Sequence, residues 1–367
     1  MPDVRVLGLS KGFRDAQALD NASLEIKDRE YVSVIGPSGC GKSTLLKCLA
    51  GILKQDSGQI FIGDREVSDL PPEQRQLGYM FQEIALFPHM STSQNVGYGP
   101  RVRGRSGEAS REFIGQVMEM VRLETRGEVY PDELSGGARQ KAALARAIAA
   151  EPQLMLLDEP LGALDAYVRA TLRYELRRLV KELGLTAIHV THDQEEAMSI
   201  SDRLVIMKAG RIVEVGTPLE LYLSPKRLFT ANFLGEANFL QGNVLECSSG
   251  QITATVSDWK ITFPGNGFTI GDRVVLAIRP EWVALTPASG GSGQEWTGVV
   301  KEQMLLGDIV RTAVELDNGL QIVAHAPNTG LEQGIRVREA AKIDFSVGSV
   351  LSYEWPADGL DAELALE

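Results

Sequence analysis

Gly36-Pro37-Ser38-Gly39-Cys40-Gly41-Lys42-Ser43-Thr44 is the stretch whose reading decides the fold. The apolar run Tyr31-Val32-Ser33-Val34-Ile35 comes before it, and Leu45-Leu46-Lys47-Cys48-Leu49-Ala50, stopped by Gly51, comes after. That order predicts strand, glycine-rich turn and helix. Glycines let a backbone wrap closely round an anion, so that successive N–H groups point at its oxygens. The start of the helix adds about half a positive charge at the same place. Lys42 can then reach the β- and γ-phosphates of a nucleotide, and the Ser43 hydroxyl can ligate Mg²⁺. A glycine-rich turn between two core elements is the plain alternative; the flanking strand and helix favour a phosphate cradle built from Gly36, Ser38, Gly39, Cys40, Gly41, Lys42, Ser43 and Thr44.

A second stretch gives that cradle its chemistry. Leu154-Met155-Leu156-Leu157 reads as a buried parallel strand, and Asp158-Glu159-Pro160 follows at its C-terminal end, where α/β folds place ligands. Asp158 suits a Mg²⁺ ligand, commonly through water. Glu159 stands where it can polarise an attacking water as a general base. The strand Thr186–Val190 delivers Thr191-His192-Asp193, putting His192 in reach of a γ-phosphate, whereas His189 lies inside the strand as a core residue. Gly78-Tyr79-Met80-Phe81 is an apolar strand ending on Gln82-Glu83, so Gln82 can reach Mg²⁺ or its water.

Other segments carry weaker signals. Residues 4–8 and 22–26 alternate as strands, with a turn-rich stretch from Lys11 to Asp15 between them. Phe13 in that turn either stacks on an adenine ring or packs on a satellite core. Phe113, Val117, Met120 and Val121 recur at helical spacing over about 108–122. Leu134-Ser135-Gly136-Gly137-Ala138 opens a further helix to about Ala150. Its bare N–H groups are either a second anion site or a plain N-cap. Leu161-Gly162-Ala163-Leu164-Asp165 leads into a charged helix ending near Gly184.

Composition bounds the rest. A chain of 367 residues, 44% hydrophobic and 23% charged, is long enough for two globular domains. No run approaches the ~18 apolar residues that a bilayer crossing needs, and the N-terminus has no signal-peptide pattern. The three cysteines, Cys40, Cys48 and Cys247, lack metal spacing and read as reduced thiols. The net charge of −12 is uneven: residues 236–367 hold 8 Lys/Arg against 18 Asp/Glu. Neither part is a basic surface, which argues against nucleic acid as a partner.

Taken in order, Phe13, Gly36–Thr44, Gln82, Leu134–Ala138, Leu157–Pro160, Leu161–Asp165 and His192 resemble the ATP-binding subunit of ABC transporters. They match that family's aromatic loop, phosphate loop, Q-loop, signature, Walker B, D-loop and H-loop. The resemblance covers residues 1–235 and implies an α/β P-loop ATPase core, with a helical subdomain at about 84–150. It implies ATP and Mg²⁺ as ligands, Ser43, Gln82 and Asp158 at the metal, and Glu159, His192, Gln82 and Lys42 in catalysis. Phe13, the phosphate loop, Ser135, Gly136, Gly137 and Asp165 would bind nucleotide. Ser135 and Gly137 of one subunit would contact the γ-phosphate held by Lys42 of a second, in a head-to-tail homodimer. Two positions depart from the family pattern, Ala138 where Gln is usual and Gly162 where Ser is usual. They bear on dimer geometry more than on hydrolysis.

Residues 236–367 read as an all-β domain. Short β-type runs recur at Asn243–Leu245, Lys260–Phe263, Val274–Ile278, Gly298–Lys301, Arg311–Leu316 and Val350–Trp355, with Gly290–Gly293 as a loop between two lobes. Phe239–Val244 and Glu295–Val300 form a weak internal repeat. Ile278-Arg279-Pro280-Glu281 and Leu306-Gly307-Asp308 are similar to the OB-type domain appended to importer ATPases. The junction Leu234–Phe239 most resembles the polyamine, opine, phosphonate and ferric-iron branch. An importer ATPase is thus expected, on the cytoplasmic face of the inner membrane. It would serve integral membrane permease subunits and, indirectly, a periplasmic or extracellular solute-binding protein, with polyamine as the leading solute and ferric iron as the alternative. An ABC ATPase of nucleic-acid repair or translation control is the competing class; this chain lacks the long coiled coil or second cassette that such proteins carry.

Overall fold

The computed structural model describes residues 3–14, 16–105, 107–162, 164–257, 259–288, 296–328, 339–345 and 350–355. Asp15, Ala163, Glu295 and the Gly290–Gly293 stretch lie outside them. The chain forms two compact units, Met1–Leu221 and Tyr222–Glu367.

The first unit opens with strands β1 (Val4–Phe13), β2 (Ala16–Ile26) and β3 (Tyr31–Ile35), then helix α1 (Lys42–Ala50). β4 (Ser57–Ile62), β5 (Arg65–Glu66) and β6 (Leu77–Met80) follow. The next stretch is helical: α2 (Thr92–Val96), α3 (Tyr98–Val102), α4 (Glu108–Met120) and α5 (Gly136–Ala149). β7 (Leu154–Asp158), α6 (Ala166–Glu182), β8 (Thr186–Val190), α7 (Gln194–Ile200), β9 (Arg203–Lys208) and β10 (Arg211–Gly216) complete the unit.

A six-stranded sheet runs β10-β9-β3-β8-β7-β6, parallel except for the antiparallel edge strand β10. Every residue of β3, β7 and β8 is buried, as expected of parallel strands covered on both faces. On one face α1 and the antiparallel sheet β2-β1-β4-β5 close a core around Leu45, Leu49, Ile60 and Val205. On the other, α4, α5 and α6 close a second core around Val117, Ala145, Leu157 and Leu176. The buried residues of α4 are Val117 and Met118, continued by its C-cap Val121, with Phe113 and Ile114 packed beside them, whereas Met120 is exposed. The first hairpin is longer than the alternation at 4–8 and 22–26 suggests. Register shifts between Val6 and Gly12 break the period-two pattern, and the stretch from Lys11 to Phe13 belongs to β1 rather than to a turn.

Among its described residues the second unit is built of β-strands, with a short helical lead and a 3-10 turn at Pro280–Trp282. The division falls within α8 (Pro218–Leu223), and α9 (Leu228–Phe233) belongs to this unit. Leu228 and Ala231 of α9 are buried against Val275, Ala277 and Tyr353, so residues 222–235 stay with the β domain rather than with the ATPase core. The strands are β11 (Asn238–Ser248), β12 (Gln251–Val256), β13 (Trp259–Pro264), β14 (Arg273–Ile278), β15 (Val283–Pro287), β16 (Trp296–Leu305), β17 (Ile309–Leu316), β18 (Gln321–Pro327), β19 (Ala340–Phe345) and β20 (Leu351–Glu354). They form two antiparallel five-stranded sheets, β13-β12-β11-β14-β20 and β15-β19-β16-β17-β18, around one shared core. The weak repeat has a structural counterpart: its two segments begin β11 and β16, the central strands of the two sheets. A Cβ at Gly242 would meet the Thr255 carbonyl at 2.5 Å, and one at Gly298 would meet the Glu315 carbonyl at 2.5 Å. Each central strand thus needs its glycine where a neighbouring backbone passes closely.

Candidate functional site

Parallel pairing brings the chemistry to one edge of the sheet. Val34 pairs with Val190, and Val190 pairs with Asp158, so β3, β7 and β8 end level. The phosphate loop leaves β3, Glu159 leaves β7 and His192 leaves β8, all at the carboxyl ends where open α/β sheets bind ligands. Between them is a cavity of about 300 Å³ lined by Ala18, Ser38, Gly39, Gly41, Lys42, Ser43, Thr44, Glu159 and His192.

The loop enters α1 through Gly41, whose φ of 106° belongs to glycine; a Cβ there would also meet the Ala18 carbonyl at 2.2 Å. Lys42 is buried, and its Nζ donates to the carbonyls of Gly36 at 2.7 Å and Pro37 at 3.0 Å, which holds the ammonium inside the loop. Cys40 is buried and its Sγ lies 3.9 Å from the Lys42 Nζ. Burial pushes the Cys40 thiol above its ordinary range, against the pull of Lys42, so it behaves as a small filler.

Across the cavity the Ser43 hydroxyl donates to Asp158 Oδ1 at 3.1 Å. Gln82, just past β6, donates from Nε2 to Glu159 Oε2 at 2.7 Å. His192 Nδ1 lies 3.4 Å from Glu159 Oε1, a charge pair only when the imidazole is protonated. Glu159 holds a left-handed backbone with φ 47°, and its N–H donates to the Val190 carbonyl at 2.9 Å. A non-glycine residue in that conformation is strained, and such strain concentrates at working sites. The side chains expected around the reaction thus fall into two contact sets at one edge of the sheet, Ser43 with Asp158 and Gln82 with Glu159 and His192.

The remaining site residues lie elsewhere in the unit. Ser135, Gly136, Gly137 and Asp165 do not line the cavity. Ser135 is the N-cap of α5, its Oγ accepting from Ala138 N at 3.3 Å, and Asp165 is the N-cap of α6, its Oδ1 accepting from Val168 N at 3.0 Å. The two caps are neighbours, since a Cβ on Gly137 would meet Val168 Cγ1 at 3.2 Å. Phe13 ends β1 and is 47% exposed, beyond the cavity lining.

Tyr79 was not singled out by the sequence, yet its hydroxyl donates to Asp158 Oδ2 at 3.2 Å, so both carboxylate oxygens of Asp158 are held. Burial, and then the Asp158 charge, push the Tyr79 phenol up, keeping it a donor. The readable signal was a phenol within an apolar strand that ends on Gln82. His189 is fully buried and accepts or donates at Nδ1 with the Tyr31 hydroxyl at 3.1 Å, with Nε2 3.4 Å from Glu196. Burial lowers its pKa to about 3, so it is a neutral core residue. His325 lies 3.3 Å from Glu236.

The donors suit a hard divalent cation. The Ser43 hydroxyl, one Asp158 carboxylate and the Gln82 amide are all oxygen ligands, and Mg²⁺ typically takes one or two carboxylates with phosphate and water rather than a full protein cage. Among the described residues no cluster of three or more His, Cys, Asp or Glu has metal-binding geometry.

A phosphate loop after β3, two consecutive carboxylates at the end of β7 and a helical insertion between β6 and β7 define a P-loop nucleotide hydrolase. Comparison with known proteins gives the particular kind. The ABC transporter family matches residues 19–162, and the TOBE domain family matches residues 276–351. The chain is 41% identical over 319 residues to the spermidine/putrescine import ATP-binding protein PotA of Marinobacter nauticus, covering 86% of this chain and 85% of that protein. It is 39% identical over 337 residues to the Fe(3+) ions import ATP-binding protein FbpC of Brucella abortus, covering 92% and 94%. Among solved structures it is similar to the ATP-binding cassette MJ0796, solved as a dimer in a post-hydrolysis state bound to ADP and Pi. That match has a TM-score of 0.52 at 30% identity and covers 59% of this chain and 98% of that one. The chain belongs to the ABC transporter family, as an ATP-binding subunit of the importer type with a C-terminal TOBE domain. It is an ATPase whose hydrolysis is coupled to transport. Among the described residues no helix is long and apolar enough to cross a membrane.

Proposed function

We propose that the cavity at the phosphate loop binds Mg²⁺-ATP and that Glu159 is the general base of its hydrolysis. The observation that carries this is the two contact sets, Ser43 with Asp158 and Gln82 with Glu159 and His192, around one phosphate loop. Ser43, Asp158 and Gln82 would hold the metal, which when bound neutralises phosphate charge as a Lewis acid. Lys42 binds the β- and γ-phosphates, with Gly36, Ser38, Gly39, Cys40, Gly41 and Thr44 supplying the cradle. Glu159 takes a proton from the attacking water, while Gln82 and His192 orient its carboxylate. His192 also faces the γ-phosphate, and Phe13 stacks on the base.

Ser135, Gly136, Gly137 and Asp165 then act in trans. They lie outside their own chain's cavity, and a helix start capped by Ser135 is a ready anion site only when a phosphate arrives from another subunit. Two copies would sandwich two ATPs head to tail, as the dimeric form of the similar cassette MJ0796 supports. The subunit would sit peripherally on the cytoplasmic face of the inner membrane, docked through segment 84–98 on integral membrane permease subunits. A periplasmic or extracellular solute-binding protein would act only through those subunits. The solute is a polyamine or a related small solute, in keeping with the spermidine/putrescine import of the PotA relatives; the FbpC relative supports ferric iron as the second reading. The test is Glu159→Gln in the purified chain, which should keep ATP binding and lose turnover. The solute is decided by isolating the complex from membranes and assaying uptake of labelled spermidine against ferric iron.

A further inference from the structure

We propose that Asp56 is the positioning residue for Phe13, fixing the end of the first hairpin so that the ring meets a purine base. The inference rests on the reading of Phe13 given above. Strand β1 pairs with β4 only as far as Ser10, which faces Ser57. Beyond that point β1 has only β2 beside it, through a register that shifts between Leu9 and Lys11 and again between Lys11 and Gly12. A two-stranded ribbon of that kind is marginal in water and does not fix its own tip.

Asp56 takes over where β4 stops. Its N–H donates to the Ser10 carbonyl at 2.9 Å. Its Oδ2 accepts from the Gly12 N–H at 2.7 Å, and its Oδ1 accepts from Lys11 Nζ at 2.6 Å. One carboxylate thus satisfies the backbone donor directly before Phe13 and the ammonium two residues before it. That ammonium lies 5.7 Å from the Phe13 ring centroid, so the cation held by Asp56 also rests on the ring. Phe13 pairs with Ala16, and Ala18 on the same strand lines the phosphate cavity, which places the braced ring on the hairpin bordering the nucleotide. The Gly12 N–H, and then Lys11, hold the Asp56 carboxyl below the usual carboxylate range, so the brace stays charged at neutral pH.

The test uses the full chain and separates base from phosphate recognition. Asp56→Ala should raise KM for ATP by about 3- to 10-fold, as loss of charge-assisted hydrogen bonds implies. At saturating ATP, kcat should stay within about 2-fold, because no group of the reaction is touched. Asp56→Asn should raise KM less, since its amide oxygen still accepts from Gly12, and it serves if the alanine variant misfolds. Inorganic triphosphate, which has no base, should inhibit Asp56→Ala and wild type equally. In a Phe13→Ala background, Asp56→Ala should add no further change in KM. Weaker inhibition by triphosphate, or additive effects of the two substitutions, would overturn the role. An unchanged KM in Phe13→Ala would remove Phe13 itself from the site and the inference with it. A raised KM in Phe13→Ala with none in Asp56→Ala would overturn the inference alone.

Discussion

Replacing Glu159 by Gln isolates the base from everything around it. The side chain keeps its size, and Gln adopts the φ of 47° no less readily than Glu, so the backbone bond from its N–H to Val190 stays. Of the two contacts on the carboxylate, Gln82 at 2.7 Å and His192 at 3.4 Å, the amide can accept only one. Losing a single neutral-to-charged contact costs about 1.5–3 kcal/mol where it is fully desolvated and less at this partly open site. Lys42, Ser43 and Asp158 are untouched, so ATP affinity should change by no more than about 3-fold. Turnover should instead fall by about 10²- to 10⁴-fold, equal to roughly 2.7–5.5 kcal/mol of barrier, because proton abstraction has lost its acceptor. Steady-state phosphate release and calorimetric ATP binding, measured on the same preparation, read the two quantities separately. ATP should also hold the variant as a dimer in light scattering. Turnover near that of the wild type would show that Glu159 is not the base; a matching loss of ATP binding would show that it serves the ground state.

The other substitutions test separate parts of the site. Lys42→Ala should weaken ATP binding by at least about 10-fold, since it removes a cation buried at the phosphates; unchanged binding by calorimetry would displace the phosphate cradle. Tyr79→Phe removes one of two donors on Asp158 and should raise the Mg²⁺ concentration for half-maximal hydrolysis by about 3- to 10-fold; an unaltered Mg²⁺ titration would leave Tyr79 with a packing role only. A chain ended at Leu221 should remain soluble and bind ATP, whereas one ended at Gly235 should aggregate, because Leu228 and Ala231 lose the sheet that buries them; equal solubility of the two would contradict the assignment of α9 to the β domain.

Much of this was legible in the sequence because the chemistry is local. Gly36–Thr44 and Leu154–Glu159 each hold strand, turn and functional group within a few residues, and parallel pairing does the rest by ending the strands level. Tyr79 was not legible, since only the pairing of β6 with β7 brings its hydroxyl to Asp158. The end of β1 was hidden by its register shifts, which break the alternation that marks a strand. Strands β12, β15, β18 and β19 are short and went unnamed; Gln251–Val256 does alternate in burial, but Thr253 and Thr255 leave it without the unbroken apolar run that makes Val274–Ile278 stand out. The boundary at Gly235 followed the extent of the family resemblance and the onset of short β-type runs, and the packing of α9 against Val275 and Tyr353 is a tertiary fact that neither carries.

The central claim is that each nucleotide is completed by Ser135 of a second subunit, and mixing two inactive variants tests it most directly. Ser135→Arg fills the helix start with a bulky cation, and Lys42→Ala empties the phosphate loop, so each homodimer has two damaged sites. If Ser135 acts in trans, a heterodimer of the two places the intact loop of the Ser135→Arg subunit against the intact helix start of the Lys42→Ala subunit. One undamaged site results, and ATP hydrolysis should reappear on mixing, rising with the heterodimer fraction. If Ser135 served the loop of its own chain, both sites of the heterodimer would stay damaged. Mixtures as inactive as the separate variants, with heterodimers demonstrably formed, would contradict the account.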